Sequence, residues 1–266
     1  GAVHRARGPR RRVPLPLRSQ RRQADEPAPQ HLQRDLGRLL AYELAAAREV
    51  VASHARSSRS VDRDEDEPDR LLGGAAARPP VTTSAPPASL GAVPRFARGI
   101  AAARRGDAAQ ARAEAATMVE LEAAAAGGPQ GAYWSRVVGI KRRAVESWIA
   151  LATGDTTRAL SLAKEAADME DVTEKHPVTP GELLPARELE GDMLLAVGRY
   201  AAARSAYESS LAREPNRARS LYGSARAAEL AGDKTGARRR YDQYLAQMKA
   251  GDGNRVEIAR AREALR

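Results

Sequence analysis

Apolar and polar positions along this chain follow two different regimes. From Leu90 to the C-terminus, apolar residues recur at three- and four-residue intervals in segments short enough to be single helices. Four glycines punctuate these segments, Gly106, Gly154, Gly198 and Gly232, and each is followed five residues later by an alanine: Ala111, Ala159, Ala203 and Ala237. The last two units lie 34 residues apart, and Tyr207 and Tyr241, then Leu211 and Leu245, keep that spacing. A 34-residue period of paired helices marks a repeat array, in which each hairpin buries its apolar face only against its neighbours.

The turns are legible in more detail. Gly106-Asp107, Gly154-Asp155 and Gly232-Asp233 repeat one device. The glycine takes the left-handed conformation that ends one helix, and the aspartate caps the next. Gly198 is followed by Arg199, so that turn keeps the glycine and loses the cap. The alanine five residues on lies where two antiparallel helices cross closely, and Tyr207 and Tyr241, one turn further, cover the gap toward the next unit. The units expected are about 90–126, 133–170, 182–217 and 218–250. A capping helix over 254–265 sets Val256, Ile258 or Ala259, and Leu265 against Arg255, Arg260, Arg262 and Arg266.

Residues 1–88 follow no such grammar. They hold ten of the 16 prolines and one aromatic, Tyr42. Arg10-Arg11-Arg12, Pro14 to Arg22 and the acidic run Asp64 to Asp69 lack periodicity, and Ala76 to Ser89 reads as a linker. One helix is expected from about Gln33 to His54, with Leu36, Leu39, Leu40, Leu44 and Val51 near one stripe. A lone helix is marginal, so disorder is expected for most of this half. An alternative reading of the abrupt change at Leu90 is that residues 1–88 are a frame-shifted translation of a GC-rich gene.

Composition narrows the function classes. The chain is 42% apolar and only 4% aromatic, which suits thin helix-on-helix layers rather than a deep core. It has no cysteine, so disulfides, thiolate metal sites and a cysteine nucleophile are excluded. No stretch reaches the roughly 18–20 apolar residues of a membrane span. The chain begins with Gly and lacks an apolar signal core there, so it reads as a soluble fragment or processed chain, with cytoplasm and periplasm both open. The net charge of +10 raises nucleic acid as a partner. The excess is divided evenly, +5 over residues 1–90 and +5 over the rest, and 39 of the 44 basic residues are arginine. Spread charge of this kind also follows from a GC-rich genome, so a basic accessory protein binding RNA or DNA is the second reading.

The positions of the last units carry a family resemblance. Gly191, Leu194, Gly198, Tyr200, Ala203, Tyr207, Leu211 and Pro215, then Leu221, Ala225, Gly232, Ala237, Tyr241 and Leu245, resemble the tetratricopeptide repeat. Arg187 stands where that family favours a large aromatic, and Ala228 replaces the equivalent of Leu194. Upstream the match thins to glycine and alanine spacing, with Ala115 and Ala163 in place of the two tyrosines. The stretch from Glu174 to Asp192 is also similar to the C-terminal part of long bacterial repeat proteins. The resemblance implies an all-α, right-handed superhelical solenoid whose first helices line a concave groove for peptides or partner domains. It implies a non-enzymatic scaffold.

Candidate chemistry is sparse. His4, His31, His54 and His176 have no second ligand at metal spacing on a predicted helix. No serine elbow or phosphate-cradling glycine loop is present. No catalytic, cofactor or metal residue is therefore assigned. Glu188 and Asp192 lie four apart on one helix face and read as solvated groove residues, since acid–base work would require burial and supporting partners. Carrying the groove positions across the units gives Lys141 and Trp148, then Glu188 and Asp192, then Arg219, Tyr222 and Arg226. This is a mixed-charge surface suited to an extended peptide, unless Trp148 and Tyr222 simply fill gaps between helices. Tyr133-Trp134 reads as core. The connection Asp171–Glu182 is long for a helix–helix loop, and its Lys175 and His176, on a proline-fixed backbone, are expected to recognise an acidic group or to bridge a change in superhelical angle.

Overall fold

The computed structural model describes residues 88–175, 182–251, 253 and 255–266. The expected helix at Gln33–His54, all but the last residue of the stretch 1–88 expected to be disordered or frame-shifted, and His176 lie outside the described residues. Those residues form nine α-helices and no strand. They are α1 (Ala88–Arg104), α2 (Ala108–Ala126), α3 (Gly131–Ala152), α4 (Thr156–Asp171), α5 (Ala186–Ala196), α6 (Tyr200–Arg213), α7 (Ala218–Leu230), α8 (Lys234–Gln247) and α9 (Val256–Ala264), with a 3₁₀ turn Met248–Ala250 after α8. Helix α1 begins at Ala88, inside the stretch expected to be linker.

The four glycine turns close as local chemistry dictates. Gly106, Gly154, Gly198 and Gly232 have φ of +84°, +87°, +76° and +82°, which an L side chain rarely adopts. At each, the glycine N–H and the next N–H reach back to carbonyls of the preceding helix: Gly154 to Leu151 at 3.1 Å and Asp155 to Ala150 at 2.9 Å are one instance. The same aspartates then cap the following helix, Asp107 accepting from the Gln110 N–H at 3.0 Å, Asp155 from Arg158 at 2.9 Å and Asp233 from Gly236 at 2.9 Å. Arg199 makes no such side-chain bond, so α6 starts uncapped.

Helices pack in the order of the chain, each on the next. In addition α1 meets α3, α3 meets α5 and α5 meets α7, so the first helices of successive hairpins form one continuous layer. Small residues allow the approach. Ala111, Ala159 and Ala203 are fully buried and Ala237 nearly so. Between α1 and α3, a β-carbon on Gly99 would lie 2.8 Å from Val145. The apolar interior follows the chain as three successive clusters, the first around Ile100, Met118 and Val145, the second around Leu195 and Tyr207, the third around Tyr241, Tyr244 and Ile258. This is the repeat-like, neighbour-on-neighbour burial that short alanine-rich helices permit.

Candidate functional site

Helix α5 sits in the middle of the layer and presents Glu188 and Asp192 toward α7. Glu188 is fully buried; Arg217, at the start of α7, binds it two-pronged with distances of 2.9 and 3.0 Å, and the Ser220 hydroxyl donates to it as well. Asp192, 1% exposed, accepts the Tyr207 hydroxyl at 2.6 Å, pairs with Arg219, and stands 3.5 Å from the Arg104 guanidinium of α1. That guanidinium lies 4.2 Å over the ring of Trp148 on α3. Burial lowers the Arg104 pKa to about 10. Side chains from α1, α6 and α7 thus meet at one buried aspartate of α5.

The residues assigned to a groove are consequently placed differently from a solvated surface. Lys141, Trp148, Glu188, Asp192, Arg219 and Arg226 are all buried. The reason is the close packing of the hairpins: each charge is given a partner within the chain, Arg226 on Glu229 at 2.7 Å and Lys141 on Glu182 at 2.6 Å among them. Trp148 belongs to the first apolar cluster and fills the space between helices. Tyr222 is half-buried, its ring centroid 5.5 Å from Tyr244 and 6.0 Å from Tyr241. Lys175 is half-exposed and bonds to Glu214 at 2.5 Å, an acidic group of its own chain.

Sequence reasoning did not find a cavity of about 60 Å³ at one edge of the layer, between the second and third hairpins. Its walls come from the start of α3, the end of α4 with Thr173 to Lys175, Glu182 and Pro185 before α5, and the end of α6. Tyr133 and Trp134 line it edge to face, with centroids 4.9 Å apart. Glu170 lines it from the last turn of α4 and accepts the Ala186 N–H at 2.9 Å, capping α5 where Pro185 offers no side chain. Burial, reinforced by Glu182 nearby, pushes the Glu170 carboxyl up to about 7. Arg213 crosses from α6 and donates to the Glu170 and Thr173 carbonyls at 2.7 Å each, tying off the end of α4. A signal for this site did exist in the sequence. Asp168, Glu170 and Asp171 crowd a helix C-terminus, where the macrodipole disfavours negative charge and basic residues are absent.

Among the described residues no group of three or more His, Asp or Glu is placed to hold a metal, and no helix is long and apolar enough to cross a membrane. Compared with known proteins, the chain matches no family model, no curated protein and no solved structure.

Proposed function

We propose that residues 88–266 act as a non-enzymatic protein- or peptide-binding scaffold, built as a right-handed superhelical array of the tetratricopeptide kind. One observation carries the reading: the first helices of four hairpins touch in succession, so side chains far apart in sequence share one continuous layer. Such a layer holds a partner by shape and charge on a frame that needs no rearrangement. The buried charges Glu188, Asp192, Arg219 and Arg226 serve the frame, and the half-buried Tyr222 and the half-exposed Lys175 are the members of the expected groove left nearest to a partner. The pairing of arginines also favours a protein partner over nucleic acid. Arg98, Arg142, Arg187, Arg217, Arg219 and Arg240 each face a carboxylate of the same chain. Arginines committed in this way are poorly placed for phosphates.

The test immobilises the full chain beside a Tyr222→Ala variant and challenges both with nuclease-treated extract. A protein that the parent retains, that re-forms a stoichiometric complex when purified, and that the variant loses supports the reading. Retention seen only from untreated extract, and weakening steeply with salt, favours the nucleic-acid reading instead.

A further inference from the structure

The edge cavity carries an unbalanced carboxylate. Glu170 lies mostly buried in its wall, and the Ala186 N–H is its sole hydrogen-bond donor among the described residues, none of which forms an ion pair with it. The cations around it are engaged elsewhere. Arg187 binds Asp168, Asp171 and Glu190, Lys175 binds Glu214, and Arg213 is spent on backbone carbonyls. Lys141 holds Glu182, another of the carboxylates that line the cavity. The same cavity is lined by an aromatic pair, Tyr133 and Trp134, and aromatic ring faces attract cations. The space of about 60 Å³ suits a single polar head and falls short of the several hundred Å³ of a cofactor pocket.

We propose that this cavity receives one cationic side-chain head, the ammonium of a lysine or the guanidinium of an arginine on a peptide partner, with Glu170 as counter-charge and Tyr133 and Trp134 as aromatic wall. The carrier of the cation rests on the peptide-binding reading above; the chemistry rests on the cavity. The sign is opposite to the acidic group expected for the Lys175 connection, because that lysine is already neutralised by Glu214. No bond to carbon forms or breaks. When the cation enters, the Glu170 carboxyl releases its proton to water and the ion pair takes its place. The charged groups around Glu170 are Asp171, Glu174 and Lys175 at and beyond the end of α4, Glu182 before α5, Arg187 on α5, Arg213 and Glu214 at the end of α6, and Lys141 on α3. Burial first and Glu182 second hold the proton on, against the Ala186 N–H, Lys141 and Arg213. With its acid near 7, Glu170 is mostly protonated at pH 6 and mostly ionised at pH 8, so binding strengthens about tenfold across that interval.

The experiment uses the ¹⁵N-labelled full chain, whose two tryptophans give two indole N–H signals, Trp134 at the cavity and Trp148 in the apolar interior. Nα-acetyl-arginine methylamide and Nα-acetyl-lysine methylamide are titrated at pH 6 and pH 8, with the uncharged Nα-acetyl-glutamine methylamide as control. The expected result is a saturable shift of the Trp134 indole, small at Trp148, absent with the glutamine compound and about ten times tighter at pH 8. Glu170→Gln keeps an acceptor for the Ala186 N–H, and it is expected to weaken binding at least tenfold and abolish the pH dependence. Tyr133→Leu is expected to weaken binding severalfold while the pH dependence stays. The proposal is overturned if Trp134 shows no saturable shift, if the uncharged compound shifts it equally, or if neither variant changes the titration. These probes need no protein partner, so their failure leaves the scaffold reading standing, and loss of the partner in the retention test leaves the titration standing.

Discussion

The ring of Tyr207 lies against the backbone of Gly223 so closely that a β-carbon there would come within 2.4 Å of a ring atom. The same ring touches Gly191, where a β-carbon would stand 2.8 Å away. One side chain of α6 therefore wedges between α5 and α7, and both helices give up a side chain to admit it. The hydroxyl at its tip reaches Asp192, so packing and the buried charge cluster are one feature.

Gly223→Ala tests that wedge. In an exposed helix interior the change would gain about 1 kcal/mol through helix propensity. Overpacking against an immobile ring costs about 1–3 kcal/mol, so a net loss of up to about 2 kcal/mol is expected in urea unfolding. Combining it with Tyr207→Leu should recover part of that loss; simple addition of the two penalties would refute the contact.

Asp192→Asn removes a buried carboxylate that Arg219 and Arg104 share. A loss of about 3 kcal/mol is expected, in the range for breaking one side of a buried pair. Lys164→Ala removes an exposed i,i+4 pair with Asp168 and should stay within about 0.5 kcal/mol. Equal effects from the two would contradict the assignment of Asp192 as the junction of the layer.

The uncapped start of α6 can be improved. Arg199→Asp supplies the side-chain acceptor that the neighbouring turns possess and should stabilise the chain by about 0.5–1 kcal/mol. Asp155→Ala, which removes an existing cap, should cost about 1 kcal/mol. Thermal unfolding of both variants beside the parent reads the two signs.

Glu170 gives stability a pH dependence of definite sign. Its acid is raised from 4.5 to about 7 in the folded chain, so the native state binds the extra proton between those values. Stability should fall as pH rises through that window and level off above it, by about 3 kcal/mol at most. Carboxylates held low by partners, Glu208 and Glu229 among them, act below that window, as the pH falls toward acid. Urea unfolding between pH 5 and 8 should show the slope in the parent and its loss in Glu170→Gln, which should be the more stable protein at pH 8.

The parts of the fold that were readable from the sequence are those decided within a few residues. Gly154 followed by Asp155 specifies a helix stop and a helix start on its own, and Arg199 after Gly198 specifies the missing cap. Ala159 and Ala203 mark helix crossings because size alone sets that distance. The burial of Glu188 and Asp192 was not readable, since it depends on how tightly hairpins stack. Arg217, Arg104 and Tyr207 reach these carboxylates from 29, 88 and 15 positions away. Tyr133-Trp134 reads as core in the sequence, and Trp134 does pack against the first apolar cluster. Only the meeting of α3 with the ends of α4 and α6 turns the pair into a cavity wall.

Hydrogen exchange of the full chain, alone and saturated with a protein partner recovered by the retention test, addresses the scaffold claim most directly. The account predicts added protection at accessible amides along α3, α5 and α7 and around the cavity edge at 131–134 and 171–175, with α4 before its last turn and α8 little changed. Protection confined to α2, α4 and α8, or spread with no preference for the continuous layer, would contradict it.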